Sequence, residues 1–435
     1  MTGGRPASNR VVLLTGATGF VGKVVLDELL RRREALGIER VLLLVRGGDA
    51  ERADARLRAE IVRSRCFAKQ PAGFEKYVEA LHGDLTRPAL GLDDEARARV
   101  REEVSHVVHC AATVEFSQPV AEAAATNVGG TLGALEVARS CRRIASFVGV
   151  STAYVTPQPK QGDGCPLRVE EELAPLPADA AKLLRAIETG EASERRLLRE
   201  TRHPNTYTLT KCLAEHLAAQ QADELPITLV RPSIVSASRA HPFEGWIDSA
   251  AAFAGFVVLL ATGRLRVVAA DPDALLDVVP CDEVARRVVD AAFAPPSDGA
   301  PRILHAVAGL EGSVPLRLCR EVIERSFASS GALRLAWMGR RGPRFRVEHA
   351  LRHELPAHLA AAWLSLRGQV RSSRSVRRLL QAQRDLHRQF AYFTHASFDF
   401  RSSAPLAPRL EPRAYLELVC AGVARHLLRG GTRGG

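Results

Sequence analysis

Regular patterning begins at residue 11. Val11–Leu14 is a short apolar run of strand type that leads into the turn Thr15-Gly16-Ala17-Thr18-Gly19-Phe20-Val21-Gly22. Val24, Val25, Leu26, Leu29 and Leu30 then recur at helical spacing. Further strand-like runs cover 40–48, 77–85, 105–113, 143–152 and 227–235, and helical patterns lie around 95–103, 128–140 and 208–221. Strands alternating with helices predict an α/β fold with a Rossmann-type, doubly wound parallel sheet. One extended domain is expected over 11–310, with substrate-side insertions at 156–205 and 241–275. A disordered tail, 1–10, would precede it, and a smaller, mainly helical, basic domain over 335–428 would follow. The longest apolar run, 251–262, is too short to span a bilayer and reads as a buried helix or pocket wall.

Composition narrows this picture. With 435 residues, 46% hydrophobic and 25% charged, the chain has the makeup of a soluble globular protein of more than one domain. Its eight cysteines include no Cys-x-x-Cys pair, which argues for reduced thiols in a cytoplasmic protein, and the N-terminus lacks a signal-peptide pattern. The net charge of +11 is uneven: residues 331–435 hold 19 Arg, no Lys and six acids, a net +13. No nucleic-acid-binding signature accompanies that charge, so no nucleic-acid partner is expected. An acidic partner, a phosphorylated substrate, an anionic membrane surface met peripherally and a plain solvated helix face all suit it.

Strand, glycine turn and helix form the context a dinucleotide fingerprint needs. Gly16 permits the tight turn, Gly19 lets the backbone approach a pyrophosphate at the helix N-terminus, and Gly22 lets the helix pack closely. A glycine turn without ligand is the competing reading. The second strand ends on Arg46, where NAD-preferring proteins usually carry an acid for the ribose hydroxyl; a guanidinium there suits a 2′-phosphate, which favours NADPH. Asp84-Leu85 and Ala111-Ala112 fall at strand carboxyl ends, where such sheets bind ligands. Tyr207 and Lys211 share one helix face in "YTLTK". Five Tyr and six Lys in this chain would give that spacing by chance about 0.07 times. Lysine, rare here against 60 basic residues in all, offers a compact, tunable charge. The 13 His suggest no ligand set, and no metal is expected.

The ordered motifs "TGATGFVG", "GDL", "HCAAT", "STAYV", "YTLTK" and "RPSIV" resemble an extended short-chain dehydrogenase/reductase. With "VSTAYV", "LVRPSIV" and "PFEGWID" the resemblance narrows to the fatty acyl-CoA reductases, over about 10–310 and again over 345–405, where "FAYFTHASFDF" is similar to that family's C-terminal helical region. Phe398, where the family usually has Trp, and the "RSS" that follows depart from its pattern. The resemblance implies Tyr207 as general acid, Lys211⁺ lowering the phenol pKa and binding the nicotinamide ribose, and Thr152 or its neighbour Ser151 holding the substrate oxygen. It implies Asn127 as support for the proton relay, with a helix N-cap the alternative, and Pro232 and Ser233 beside the nicotinamide. The implied reaction is NADPH-dependent reduction of an acyl-CoA thioester to aldehyde, with reduction on to alcohol as a second step. Trp246, Phe253 and Phe256 would line an acyl channel or be plain core. The rivals are a thioester reductase acting on acyl carrier protein, a non-catalytic NADPH sensor, and a sugar epimerase or steroid dehydrogenase.

Overall fold

The computed structural model describes residues 9–158, 165–328, 336–338, 342–356, 359, 363 and 392–428. The expected tail lies largely outside them, as do part of the 156–166 loop and the amphipathic pattern of 375–390. Seven strands form the central sheet: β1 (Arg10–Thr15), β2 (Ile38–Val45), β3 (Val78–His82), β4 (Val104–His109), β5 (Ser146–Val150), β7 (Ile227–Pro232) and β12 (Arg302–Ala306). Their order is β12-β7-β5-β4-β1-β2-β3 and every pairing is parallel. The order reverses direction between β1 and β4, which opens a crevice at their carboxyl ends. Runs such as Val11–Leu14 and Val41–Val45 are buried on both faces, because helices cover both sides of a parallel sheet.

Four short ladders surround this sheet. β6 (Leu167–Val169) pairs with β15 (Phe398–Phe400), and β8 (Ile234–Ser236) with β11 (Val278–Pro280). β9 (Val267–Ala269) pairs with β14 (Ala336–Met338), and β10 (Leu275–Leu276) with β13 (Val314–Pro315). The first insertion is thus stitched to a strand more than two hundred residues later. The charged helix expected near 178–200 is two helices, Ala180–Glu188 and Glu194–Thr201, separated at Gly190, whose φ of +70° ends the first.

One apolar cluster runs from Val12 through Val257 and Val284 to Leu416 and Val423. The helix Pro412–Val423 packs on Leu316–Ser326 and on Ala252–Ala261, so the end of the chain shares the main core. Phe253 and Phe256 belong to this core, and Trp246 is buried against Phe20 with ring centroids 5.4 Å apart. For these three aromatics plain packing is what the structure shows, not a channel wall. Among the described residues no helix is long and apolar enough to cross a membrane.

Candidate active site

β1 ends at Thr15, and the helix Phe20–Arg31 starts after Gly19. Gly16 has φ +77°, and a Cβ there would come within 2.6 Å of Ala111 N. A Cβ on Gly22 would sit 2.1 Å from Gly16 O, so only glycine lets this helix begin so close to the strand. Gly19 N donates to Gly16 O at 2.9 Å, while Gly19 itself stays exposed. No acid occupies the first helical turn, leaving its amide end free for an anion. Thr18, Phe20 and Val21 are half-buried around this cradle, and Lys23 Nζ reaches 2.6 Å to Asp248, tying the helix to the second insertion. This cradle fits the diphosphate of a nicotinamide dinucleotide.

Thr15 departs from the expected cofactor contact. Its side chain is fully buried: Oγ1 lies 2.8 Å from His109 Nδ1 and accepts from Ala111 N at 3.2 Å. It braces the end of β4 against the glycine turn, because register pairs Thr15 with His109. Burial, with Lys211⁺ nearby, pushes His109 down to about 3, so its ring is neutral between Thr15 and Thr131. Arg46 is exposed directly after β2. Asp84, after β3, is held below the usual carboxylate value by hydrogen bonds from Thr86, with Arg46 and Arg87 adding charge, against an opposing burial. Leu85 packs against Gly130.

From the cradle a cavity of about 320 Å³ extends along the sheet's carboxyl edge. It brings together Gly16, Gly19, Phe20, Val21 and Gly22 with Ala112, Ser151, Thr152, Tyr207, Lys211, Pro232 and Ser233. Thr15, Thr18, Arg46, Asp84, Leu85, Ala111 and Asn127 are not among its lining. A larger hollow of about 620 Å³ lies between residues 168–171, 307–312 and 399–409, rimmed by the exposed pair Arg409–Glu311 and by Arg401 with the half-buried Asp399. It holds none of these chemical groups.

The helix Thr206–Ala219 carries the tyrosine and lysine. Asn205 caps it by accepting from Thr208 N at 2.9 Å, and Thr206 Oγ1 donates to Gln118 O at 2.9 Å. Asn127 is no N-cap. It lies inside the π-helical turn Ala125–Gly129, where its Oδ1 accepts from Thr113 N (2.9 Å) and its Nδ2 donates to Thr210 Oγ1 (3.0 Å). It thereby couples the segment after β4 to the tyrosine helix. Thr152 Oγ1 accepts from Tyr154 N at 3.2 Å, donates to Pro232 O at 3.5 Å and shares the cavity wall with the Tyr207 phenol. Ser151 Oγ is buried at the cavity wall with no hydrogen-bond partner among the described residues. Ser233 Oγ donates to Asp277 at 2.5 Å. Asp277, pushed up to about 6 by burial, also accepts from Ala308 N and Gly309 N.

The electrostatics correct one expectation. Burial pushes Tyr207 up to about 12, and the opposing influence is the Thr152 hydrogen bond, not Lys211. Lys211 Nζ donates instead to Val150 O at 2.8 Å, across the helix–strand interface. Burial drives its own value down to about 8, against Cys110 and Glu215, which raise it. Both groups lose hydration in the same apolar wall, so each is pushed toward its neutral form.

Some contributors escaped the sequence reading. Phe116 lies 5.6 Å from the Tyr207 ring and 6.4 Å from Phe393, and both phenylalanines line the cavity. Tyr154 stands edge-on to Phe393, Phe398 and Phe400, so β15 closes the site through an aromatic cluster. Ile247, Ser249, Ala251 and Ala252 are the wall supplied by the second insertion. In the strand Ile227–Pro232 the buried Arg231 makes a bidentate pair with Glu215 of the tyrosine helix, Nε to Oε1 at 2.9 Å and Nη2 to Oε2 at 2.6 Å. An arginine interrupting the apolar "ITLV" run was the available signal, since a buried cation requires a partner.

A family model described as "Male sterility protein", an NAD-binding domain family, matches residues 14–288. The chain belongs to this family. The family match spans the cradle, the tyrosine helix and the strand bearing Pro232 and Ser233, and identifies a nicotinamide dinucleotide as the cofactor class. The chain is 36% identical over 291 residues to "Fatty acyl-CoA reductase 1" of Xenopus laevis, covering 65% of this chain and 54% of that protein. The Homo sapiens protein of that name is 34% identical over 288 residues, with the same coverage. The chain thus spans about half the length of the curated relatives it matches. Among solved structures it is similar to the terminal R domain from the myxalamid PKS-NRPS biosynthetic pathway, with TM-score 0.65 and 24% identity over 98% of this chain and 93% of that one. The reductase domain of a non-ribosomal peptide synthetase from Mycobacterium tuberculosis gives TM-score 0.62 at 19% identity, covering 98% and 94%. These two support the fold.

Proposed function

We propose that this chain is an NADPH-dependent oxidoreductase that reduces a fatty acyl-CoA thioester to the aldehyde and on to the alcohol, releasing CoA. The observation that carries the reading is the shared cavity wall: glycine cradle, Thr152, Tyr207 and Lys211 line one space. The names of the matched relatives support the substrate class. Exposed Arg46 beyond β2 supports NADPH over NADH through charge-assisted pairing with a 2′-phosphate.

When bound, the cofactor supplies hydride to the thioester carbonyl carbon. Thr152 and Tyr207 would hold the carbonyl oxygen as it gains negative charge. Tyr207, kept protonated by burial, then donates its proton to that oxygen. Lys211 orients the ribose and restores the proton balance of the phenol. Ser151, whose buried hydroxyl lines the wall with no partner among the described residues, would be a further donor to the same oxygen. Asn127 holds the tyrosine helix against the 111–113 segment. Collapse of the resulting hemithioacetal expels CoA thiol, and a second hydride, from a second NADPH, with a proton from Tyr207 would take the aldehyde to the alcohol.

A second reading, reduction of an acyl group on an acidic carrier protein, draws on the net +13 of residues 331–435 and on the reductase domains of similar fold. The same basic region suits peripheral contact with a membrane from the cytoplasmic side. The test is to incubate the purified chain with NADPH and a panel of acyl-CoAs, measuring NADPH consumed per CoA released. A ratio near two supports alcohol and a ratio near one supports aldehyde. No reaction with acyl-CoA, but turnover of acyl-carrier, would replace the first reading by the second.

A further inference from the structure

The cavity wall at Pro232, Ser233 and Ile234 is one-sided in polarity. Proline brings no N–H. Ser233 N donates to Ala306 O at 3.2 Å, and Ile234 N donates to Asp277 O at 3.2 Å. The remaining donor is the Ser233 hydroxyl, and its proton goes to Asp277 Oδ1 at 2.5 Å. A hydroxyl has one hydrogen and two lone pairs. Ser233 therefore meets the cavity it lines as an acceptor.

Asp277 enforces that direction. Its Oδ1 also accepts from Ala308 N at 2.8 Å, and its Oδ2 accepts from Gly309 N at 2.9 Å. Gly309 has φ +75°, a conformation that lets two successive amides turn toward one anionic group. The carboxylate is thus held by backbone, and Oδ1, already facing one N–H, is set to accept from Ser233. Asp277 is 3% exposed, and its side-chain partners among the described residues are these three neutral donors. Burying a carboxylate without a cation is costly, and a residue that only filled the space would not carry that cost. Asp277 is not part of the cavity lining, so whatever it does for a ligand passes through Ser233.

The glycine cradle fixes where the diphosphate lies, and the reacting end is marked by Thr152 and Tyr207. Thr152 Oγ1 donates to Pro232 O, so Ser233 directly follows the residue that touches this end. The part of the cofactor that must reach it is the nicotinamide, whose carboxamide NH₂ is its N–H donor. A donor group meets an acceptor wall.

We propose that Ser233 Oγ accepts a hydrogen bond from the nicotinamide carboxamide, and that Asp277 is the positioning residue that keeps this serine turned as an acceptor. The proposal rests on the nicotinamide cofactor and on the reaction centre at Thr152 and Tyr207; it is independent of acyl-CoA as substrate. The test is competition of NADP⁺ and of its acetylpyridine analogue, whose methyl ketone has no N–H, against NADPH bound to the full chain, read by NADPH fluorescence. Wild type should bind NADP⁺ about tenfold more tightly than the analogue. Ser233→Ala should bring the two within about twofold, and Ser233→Thr, which keeps the hydroxyl, should restore the gap. Asp277→Asn should also narrow it, because its amide can offer Ser233 a donor in place of an acceptor. A ratio of affinities does not register uniform loosening of the site, so a merely structural role of Asp277 would leave it unmoved. Asp277→Glu, which keeps the charge and shifts the oxygens, takes the place of Asp277→Asn if that variant does not fold, with the same expectation. Equal wild-type affinities, a gap that survives Ser233→Ala, or a gap unchanged by the Asp277 exchange would overturn the proposal. Preference for NAD⁺ over NADP⁺ would correct the reading of Arg46 alone, and the same ratio is then measured with NAD⁺ and its acetylpyridine analogue against NADH. Acyl-CoA turnover, measured separately, reports on the substrate.

Discussion

Replacing Lys211 by Met separates what the lysine costs from what it does. The side chain is 4% exposed, and burial lowers its value from 10.5 to about 8. At about 1.4 kcal/mol per tenfold change, that is roughly 3 kcal/mol of stability forgone by burying a cation. Methionine fills similar space without charge and gives up the bond to Val150 O, worth about 1 kcal/mol. The net expectation at pH 7 is a gain of about 2 kcal/mol, a rise of about 2 °C in melting temperature for a chain of this length. The sign with pH is fixed by linkage. A lysine depressed on folding penalises the native state fully below about pH 8, and the penalty fades as pH rises from there toward 10.5. The advantage of Lys211→Met should therefore shrink over that window. Thermal melts at pH 7 and near the top of it read this directly. Turnover of the variant should fall roughly 10²- to 10⁴-fold. A melting temperature unchanged or lowered at pH 7, or a difference that ignores pH, would refute the burial argument. Retained turnover would refute the role of the charge.

Tyr207→Phe keeps the ring packed against Phe116 and removes only the hydroxyl, so turnover should drop roughly 10²- to 10⁴-fold while NADPH titrations by fluorescence stay unchanged. Gly22→Ala places a Cβ 2.1 Å from Gly16 O and should abolish NADPH binding, as seen in the same titration. Arg46→Asp should cut kcat/KM with NADPH about 10- to 100-fold and raise it with NADH, a comparison that steady-state kinetics makes directly. Arg231→Leu leaves Glu215 buried without its partner and should destabilise by about 3–5 kcal/mol, whereas Arg231→Leu/Glu215→Leu should recover most of that in denaturant melts.

Local chemistry made much of this protein legible. The glycine spacing from 16 to 22 dictates a strand–turn–helix because each missing Cβ answers a close approach of backbone. The Tyr207–Lys211 spacing fixes one helix face, and alternating apolar runs fix a parallel sheet whose carboxyl edge must hold the ligand. What depended on distance in the chain was not legible. Thr15 turned inward because β1 pairs with β4, ninety residues away. Lys211 meets Val150 O across the helix–strand interface, and burial, which no local pattern reports, raises the Tyr207 phenol. Phe393 reached the cavity through a strand pairing, β6 with β15, that no periodicity announces. Trp246, Phe253 and Phe256 became core, since helical spacing says that a face is apolar but not what it faces. Sequence alone determined the elements, the glycine cradle and the helix face that Tyr207 and Lys211 share. Only the tertiary structure decided which side chains share the cavity and at what protonation, because solvation and contact belong to the packed molecule.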